Sequence, residues 1–506
     1  MKRLSRETLF KSDHLNQDLR KKAARGGMTA MIAQGSRFIL GLTGTVVLAR
    51  VLTPADFGLF AMVAVIVRFA TMFKDAGLSV ATIQQDHITH EQISTLFWVN
   101  FLLNVFLGIC LLACSPLVAM FYGRPELTKI TAVLSSSFLF TGLVIQHQAL
   151  LRRHMKFGAL ATIKITSQVI ALIVTISLAF LGASYWALVG RSLTNGLVAA
   201  IMTILLCPWR PGRARKGTGV RSMLGFGGHL TGFNIVNFLS RNLDNILIGR
   251  FIGTSALGVY SKAYELFLMP LTQIRSPLIA VALPVLSSIR NQPDRYIKYY
   301  QRILDVLASL AIPITLYCAV ESEFVIRLSL GAQWVEAVPV FRNLAIAGLI
   351  QVTASAARGM VLLSFGFSAR YLRWGLFNAI LMITAIVAGL PFGIQGVAAS
   401  YTVANYIILV PSLFYCFHGT PVRISIFIGA LGPPLFVGAV AATGTVLVKY
   451  IGVGDAMVGH LVGLATFVVI YGAGTCLRAS FLETLRIFLT SVHGRSATQP
   501  KGSADR

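Results

Sequence analysis

Long apolar segments dominate this sequence. Stretches of about 20 or more apolar residues recur from Gly26 to Leu489, and each can cross a hydrocarbon core about 30 Å thick as a helix that satisfies its own backbone in lipid. Hydrophobic residues make up 55% of the 506-residue chain and charged residues only 12%, too few polar side chains to cover a soluble protein. The sequence predicts an all-α membrane protein with about 14 transmembrane helices.

The net charge of +26 is distributed unevenly between alternate loops. Because basic residues accumulate in cytoplasmic loops, this asymmetry places both termini in the cytoplasm and requires an even number of spans. It also argues against a nucleic acid partner. The N-terminal segment is polar and basic without an apolar core, so it is not a signal peptide. The basic loops are the N-terminal segment, Arg152–Lys156, Arg210–Arg221, Arg290–Lys298, Arg370–Arg373 and the C-terminal tail; the intervening loops carry little beyond Arg50, Arg124, Lys129, Arg250 and Lys449.

A short hairpin sequence occurs twice, 200 residues apart. The first copy is "ARVLTPADFGLF" (Ala49–Phe60) and the second is "GRFIGTSALGVY" (Gly249–Tyr260), so that Arg250 falls on Arg50 and Gly258 on Gly58. A weaker sequence similarity links "SPLVAMFYG" (Ser115–Gly123) to the later "SEFVIRLSLG" (Ser322–Gly331). Six spans separate the hairpins, so the two halves share one membrane orientation and are related by an axis along the membrane normal. Chance similarity of two apolar hairpins is the alternative.

Polar residues form a stripe on one helix face in each half. In span one, Gln34 and Arg37 stand on such a face, and span seven carries a matching stripe. An arginine about a dozen residues inside a span normally faces a bundle interior or a water-filled cavity. Structural ion pairing and snorkelling are the alternatives, most of all for Asp75 near the end of span two. The predicted cavity residues are Gln34, Arg37, Arg68, Asn234, Asn237, Arg241, Lys262 and Arg275, and the predicted ion-coupling or paired acids are Asp75, Asp244 and Glu265.

Signatures of catalysis and of metal binding are absent from the sequence. There is no P-loop, no H-E-x-x-H, no G-x-S-x-G and no dinucleotide-binding glycine pattern, and the loops are too short to hold a catalytic domain. The six cysteines are scattered without a C-x-x-C pair and are expected to be small buried hydrophobes. We therefore expect no enzyme activity, no metal and no bound cofactor.

The charge pattern and the repeat divide the chain into six parts. We expect a cytoplasmic N-terminal segment, six spans, a basic linker, six further spans, two additional transmembrane helices and a cytoplasmic tail. The predicted boundaries are 1–24, 25–208, 209–222, 223–418, 419–489 and 490–506.

Three stretches resemble the polysaccharide exporters of the multidrug/oligosaccharidyl-lipid/polysaccharide superfamily, in particular the colanic-acid and succinoglycan type. They are "LARVLTPADFGLFAMVAVI", "DAGLSVATIQQDHITHEQISTLFWVN" and "NLDNILIGRFIGTSALGVYSKAYELFLMPLTQI", and the likeness runs from about Lys22 to Leu489. The resemblance implies two six-helix bundles around a central cationic cavity lined by spans one, two, seven and eight. It also implies a task, which is moving an undecaprenyl-pyrophosphate-linked oligosaccharide from the cytoplasmic to the periplasmic leaflet of a bacterial inner membrane for exopolysaccharide or lipopolysaccharide synthesis.

The residues leave two other functions open. A multidrug antiporter of the same superfamily would bind cations and present acidic residues in its cavity, and a non-transporting scaffold would hold glycosyltransferases through basic loops. The expected partners of an exporter are a lipid-linked oligosaccharide, membrane lipids, and the polymerase and glycosyltransferases of the same pathway. Coupling to a proton or sodium gradient is a further expectation.

Overall fold

The computed structural model describes residues 19–75, 77–85, 88–215, 238, 242–451 and 456–476. Within these residues every regular element is helical, which confirms the all-α prediction. Two short 3₁₀ turns, Ala332–Trp334 and Leu390–Phe392, join α-helices. The helices are α1 (Leu19–Val51), α2 (Pro54–Thr71), α3 (Leu78–Gln84), α4 (His90–Ala113), α5 (Ser115–Tyr122), α6 (Glu126–Ser135), α7 (Ser137–Arg153), α8 (Phe157–Phe180), α9 (Trp186–Leu206), α10 (242–251), α11 (Thr254–Ser288), α12 (Pro293–Val320), α13 (Ser322–Ser329), α14 (Ala337–Ser364), α15 (Ser368–Gly389), α16 (Gly393–Phe417), α17 (Ile424–Tyr450) and α18 (Ala456–Cys476).

Twelve segments of the described residues are long and apolar enough to cross a membrane. One of them, Ser368–Phe417, is 50 residues long and contains both α15 and α16, which are separated by the 3₁₀ turn at Leu390–Phe392. The chain is therefore a multi-pass membrane protein. The total of fourteen spans stays a prediction.

The first hairpin is built by local capping. Thr53 is the N-cap of α2, its hydroxyl oxygen accepts a hydrogen bond from the amide of Asp56, and the carboxylate of Asp56 accepts one from the amide of Thr53 at 2.9 Å. This reciprocal capping box satisfies amides that a helix start leaves unpaired. Pro54 occupies the first helical position, where its missing N–H costs nothing. The Thr-Pro-Ala-Asp run thus ends one membrane helix and starts the next.

The second hairpin has the same backbone bounds as the first, shifted by 200 residues. α1 ends at Val51 and α2 starts at Pro54, while α10 ends at 251 and α11 starts at Thr254. The amide of Leu52 bonds the carbonyl of Leu48 at 2.8 Å, and the amide of Ile252 bonds that of Ile248 at 2.9 Å. The sequence repeat therefore produces the same local structure twice.

The weaker similarity between Ser115–Gly123 and Ser322–Gly331 also has a structural counterpart. α5 (Ser115–Tyr122) follows the long helix α4, and α13 (Ser322–Ser329) follows the long helix α12; both have eight residues. Each short helix is followed by a glycine with positive φ, Gly123 at 67° and Gly331 at 103°. Glycine suits these positions because a Cβ atom disfavours that region of the backbone.

The two hairpin glycines allow α2 and α11 to meet backbone to backbone. A Cβ atom placed on Gly58 would lie 1.8 Å from the carbonyl oxygen of Thr254, and one placed on Gly258 would lie 1.8 Å from that of Pro54. The contact is reciprocal between residues that the repeat makes equivalent. No other residue type fits either position without separating the helices.

The C-terminal end of α1 is fastened to the turn after α13. The indole of Trp334 donates a hydrogen bond to the carbonyl of Ala49 at 2.7 Å, and Arg50 donates one to the carbonyl of Leu328 at 3.0 Å. Trp334 is fully buried, and its ring packs edge-on against Phe57 at 5.5 Å. These contacts satisfy terminal helix carbonyls that would otherwise lack partners.

Clustering of contacts divides the chain into two compact units. The first comprises Met1–Leu266, Val325–Phe341 and Gly375–Tyr401, and the second comprises Phe267–Phe324, Arg342–Trp374 and Thr402–Arg506. In the first unit α1 packs on α8, α8 on α9 and α4 on α7. One buried cluster of this unit contains Leu78, Ile93, Phe97, Leu150, Ile163 and Trp209. The six-part domain division remains a prediction.

The start of the basic linker is docked on α4 within the first unit. The indole of Trp98 donates to the carbonyl of Gly212 at 2.8 Å, and the amide of Gly212 donates to the hydroxyl of Ser94 at 3.0 Å. Arg215 pairs with Glu91 at 2.5 Å, although both side chains are exposed. Such an exposed pair adds little stability, so the two hydrogen bonds position the linker.

In the second unit α17 and α18 pack on each other and on α12. Glu321, immediately after α12, has a fully buried side chain that pairs with Lys449 of α17 at 2.7 Å and contacts His460 of α18 at 2.9 Å. The ring of Phe324 stacks on His460 at 4.3 Å. A buried carboxylate needs such partners because an isolated buried charge is costly. Glu321 therefore ties α17 and α18 to the end of α12.

Removing the partner of Glu321 should cost more than removing both members of the pair. Lys449→Met leaves a buried carboxylate with only His460 to bond it, so we expect a loss of about 2–3 kcal/mol of stability. Glu321→Gln/Lys449→Met removes both charges and should recover most of that loss. Thermal unfolding of the purified protein in detergent measures this order. A double variant less stable than Lys449→Met would show that the pair does not act as a unit.

Candidate functional site

Arg37 lies on α1 with an exposed side chain, opposite a lysine of α8. Its backbone carbonyl accepts a hydrogen bond from Gln168 at 3.1 Å, which joins the two helices. Lys164, one turn before Gln168, is exposed and lies within electrostatic range of both Arg37 and Arg152. Among the residues that the structure describes, no carboxylate pairs with Arg37 or Lys164. Basic groups therefore gather on this side of α1 and α8 without a neutralising acid.

Further along α1, a glycine makes room for a second arginine. A Cβ atom placed on Gly44 would lie 3.6 Å from the guanidinium of Arg191, which stands on α9. Gln34 is half-buried and Thr45 is buried on the same helix. The polar face predicted for span one therefore includes a point where a long basic side chain lies directly against the backbone of α1.

Lys262 and Glu265 form the centre of a charged cluster on α11. Their side chains pair at 2.6 Å, with Lys262 almost buried and Glu265 about half-exposed. The ammonium of Lys262 also lies 4.5 Å from the ring centroid of Phe57 on α2, close enough for a cation–π interaction. The lysine is thus held between an acid of its own helix and an aromatic face of another.

Two arginines complete what we call the Glu265 cluster, namely Glu265, Lys262, Arg191 and Arg68. Arg191 of α9 and Arg68 of α2 both lie within electrostatic range of Glu265. Three cations around one carboxylate leave two positive charges uncompensated. Such an excess on membrane-spanning helices is unfavourable unless an anion or water compensates it. The arrangement is suited to binding a group with about two negative charges.

Asp244 is buried on α10, at the position predicted for an ion-coupling or paired acid. Its carboxylate accepts hydrogen bonds from the amide of Asn245 at 2.8 Å and from the hydroxyl of Tyr260 at 3.2 Å. Tyr260 is itself fully buried and belongs to the second hairpin. The other predicted residues of span seven, namely Asn234, Asn237 and Arg241, lie outside the residues that the structure describes, as does the expected pairing of Arg241 with Asp244.

Two other predicted residues do not belong to the cluster as the structure describes it. Asp75, three residues before α3, makes local contacts: its carboxylate accepts hydrogen bonds from the amide of Ser79 at 3.0 Å and from the hydroxyl of Ser79. Arg275 lies in the second unit, within electrostatic range of Arg358.

Sequence reasoning missed several residues that the structure brings to these groups. The basic residues among them share one signal, an isolated positive charge inside an apolar segment, which is the signal that singled out Arg37. The predicted cavity is lined by spans one, two, seven and eight, so isolated basic residues of the other spans lie outside that prediction. The missed basic residues are Lys164, Arg191 and Arg358, and the aromatic residue is Phe57.

The fold and the site define a multi-pass helical membrane protein with a cationic cluster on its spanning helices. A family model described as "Polysaccharide biosynthesis protein" matches residues 47–339, more than half of the chain. The chain belongs to this family.

Relatives of similar length carry related names. The teichuronic acid biosynthesis protein TuaB of Bacillus subtilis is 29% identical, over 67% of this chain and 71% of its own. The lipopolysaccharide biosynthesis protein WzxC of Escherichia coli is 26% identical over 73% and 76%. The succinoglycan biosynthesis transport protein ExoT of Rhizobium meliloti is 24% identical over 73% and 74%. The resemblance to polysaccharide exporters is thereby confirmed.

Solved structures support the same fold. The lipid II flippase MurJ in an inward closed conformation superimposes with a TM-score of 0.68 at 16% identity, over 92% of this chain and 99% of its own. A multidrug resistance MATE family transporter of the MOP superfamily superimposes with a TM-score of 0.61 at 13% identity, over 79% and 99%. At these identities the likeness concerns the fold alone.

Proposed function

We propose that this protein is a flippase that moves an undecaprenyl-pyrophosphate-linked oligosaccharide across the bacterial inner membrane, from the cytoplasmic to the periplasmic leaflet. The proposal rests on the family, on relatives named for polysaccharide biosynthesis and transport, and on the site. The exported units would serve exopolysaccharide or lipopolysaccharide synthesis, and glycosyltransferases and a polymerase of the same pathway would supply and consume them.

The observation that carries the proposal is the charge of the Glu265 cluster. A pyrophosphate carries about two negative charges and accepts charge-assisted hydrogen bonds, and the cluster has two positive charges in excess. Arg191 and Arg68 can offer bidentate guanidinium groups, which fit phosphate oxygens better than an ammonium does. A cation antiporter requires the opposite sign at its site, so the cluster disfavours that alternative.

The mechanism that we propose is alternating access without covalent chemistry. The pyrophosphate and sugars enter the polar site while the lipid tail stays in the membrane, and the hairpins that meet at Gly58 and Gly258 separate when cargo leaves to the periplasm. Asp244 is buried beside Tyr260, which makes it a candidate for coupling to a proton or sodium gradient. We propose this coupling as the source of energy for transport.

We further propose fourteen spans with both termini in the cytoplasm and two six-helix bundles of parallel orientation. Single cysteines placed at Arg50, Arg250 and Lys449 should then react with an impermeant thiol reagent added to intact cells, after removal of the native cysteines. A cysteine at Arg215 should react only after the membrane is opened. Labelling of the Arg250 position only from the cytoplasmic side would exclude both this topology and the parallel repeat.

Replacement of Arg37 tests whether span one contacts the anionic head of the cargo. Arg37→Ala should retain little export, whereas Arg37→Lys keeps the charge, loses the bidentate fork and should retain part of it. The measurement is lipid-linked oligosaccharide accumulating in the cytoplasmic leaflet, together with surface polysaccharide and membrane protein level. Arg124→Ala, at an exposed loop position, is the matched control. Normal export by Arg37→Ala at normal protein level would remove Arg37 from the site.

A further inference from the structure

A ladder of arginine and aromatic side chains lies in the second unit. The guanidinium of Arg370 lies 5.4 Å from the ring centroid of Phe367 and 5.5 Å from that of Tyr415. The ring of Tyr415 packs against Trp374 at 5.7 Å, and the guanidinium of Arg358 lies 5.9 Å from the centroid of Trp374. All of these distances lie within the range of cation–π and aromatic contacts.

Neither arginine of the ladder has a carboxylate partner in the part of the chain that the structure describes. Arg358 donates to the hydroxyl of Ser412 at 2.7 Å, and Arg370 donates to the carbonyl of His418 at 2.7 Å. Arg275 lies within electrostatic range of Arg358 and adds a like charge. A guanidinium has five N–H donors, so one neutral acceptor each leaves most of their donor capacity for an anion.

The ladder lies where three membrane helices end. Arg358 is six residues before the last residue of α14, Ser364, which is about 9 Å along the helix axis. Arg370 is two residues after the start of α15, and Tyr415 is two residues before the end of α16. Basic side chains with Trp and Tyr at this level are typical of the headgroup region of a bilayer.

An exposed apolar stripe runs along α16 beside the ladder. Ile407, Val410 and Phe414 follow one another at helical spacing, with exposed fractions of 65%, 54% and 64%. An exposed apolar stripe on a membrane helix contacts acyl chains. Tyr415, which belongs to the ladder, directly follows Phe414. A lipid whose chains lie along this stripe has its headgroup at the level of Arg370 and Arg358.

We propose that Arg358 and Arg370 bind an anionic phospholipid headgroup, with Trp374 and Tyr415 as its aromatic wall. The rings pack against both guanidinium groups, and a guanidinium can form bidentate bonds to phosphate oxygens. Basic pockets between membrane helices are known to hold anionic headgroups. In the topology proposed above, the site faces the cytoplasmic leaflet. A headgroup held here contacts residues of α14, α15 and α16.

The cargo is the other source of a lipid phosphate, and the two sources make different demands. A cargo site must release its ligand in each transport cycle, and its ligand carries a pyrophosphate. A resident phospholipid site needs only a monoester or diester phosphate and lies on a lipid-facing surface. The position of the ladder beside the exposed stripe of α16 favours the phospholipid.

The test measures lipid binding by the purified full-length chain with phosphatidylglycerol and phosphatidylcholine as probes. Native mass spectrometry gives the fraction of protein that retains each lipid during titration. We expect phosphatidylglycerol to bind at least tenfold more tightly than phosphatidylcholine. Arg358→Gln and Arg370→Gln should each weaken phosphatidylglycerol binding by about fivefold, and the double variant by more, without changing phosphatidylcholine binding. No lipid-linked sugar is present, so the result does not depend on whether the proposed export function is right.

Three comparisons decide the outcome. Arg373→Gln removes an exposed arginine of the same helix that lies outside the ladder and should leave binding unchanged; an equal loss there would mean diffuse surface attraction and overturn the site. Arg358→Lys/Arg370→Lys keeps both charges and should retain part of the phosphatidylglycerol binding. This variant tests the role of the charges even if the glutamine variants fold poorly. Undecaprenyl pyrophosphate that displaces phosphatidylglycerol at equal concentration would assign the site to cargo and overturn the proposal.

Discussion

Gly58→Ala is expected to reduce export more than tenfold while the protein still reaches the membrane. The added Cβ atom would lie 1.8 Å from the backbone carbonyl oxygen of Thr254, and a backbone atom cannot move aside as a flexible side chain can. The first turns of α2 and α11 must therefore separate, which weakens the closed arrangement of the hairpins. Gly258→Ala should have the same effect, because its Cβ atom meets Pro54 in the reciprocal way.

The readout pairs export with the accessibility of the hairpins. A cysteine at Arg50 should react faster with an impermeant thiol reagent in the Gly58→Ala background than in its absence. Gly429→Ala is the matched control, since it replaces a helical glycine whose Cβ atom would meet nothing within 4 Å, and should leave export unchanged. Wild-type export and wild-type labelling in Gly58→Ala would show that the glycine contact is not part of transport.

Arg191→Ala is expected to lower export at least tenfold, because it removes one of the two uncompensated charges of the Glu265 cluster. A hydrogen bond to a charged group contributes about 1.5–3 kcal/mol, which corresponds to roughly ten- to a hundredfold in binding. Export by Arg191→Lys should fall between that of the wild type and that of Arg191→Ala, because lysine keeps the charge but cannot form bidentate hydrogen bonds. Export and membrane protein level are measured in parallel.

Replacing Glu265 distinguishes a cargo site from a structural ion pair. If Arg191 served only to neutralise Glu265, Glu265→Gln would relieve the loss caused by Arg191→Ala, and the double variant would recover export. We expect no recovery, because Glu265 still has Lys262 at 2.6 Å in the absence of Arg191. Restored export in the double variant would make the cluster structural and would remove the main support for a pyrophosphate site.

Much of the fold could be predicted because its signals are local. The capping residues Thr53 and Asp56 and the first-turn Pro54 stand next to one another in the sequence, so the hairpin could be located from it alone. The 200-residue repeat likewise predicted that α10 and α11 would meet as α1 and α2 do. Apolar length alone predicted a multi-pass helical protein.

Membership of the candidate site could be predicted only in part. Arg68, Lys262 and Glu265 could be predicted because a charged residue within an apolar helix costs free energy and usually has a function. Their grouping around one carboxylate was not foreseen, and neither were Arg191 and Lys164, because helical spacing describes which residues share a face and not which helices adjoin.

By itself, the sequence determined that the chain spans a membrane many times, that its helices break at two equivalent hairpins, and that several of its spans carry charged residues. Those properties depend on residues within a few positions of each other. Only the tertiary structure decided that Arg191 from α9 and Arg68 from α2 approach Glu265 of α11, and that Gly58 and Gly258 touch. These contacts join residues far apart in the chain, and side-chain packing between helices, which leaves no periodic trace in the sequence, selects them.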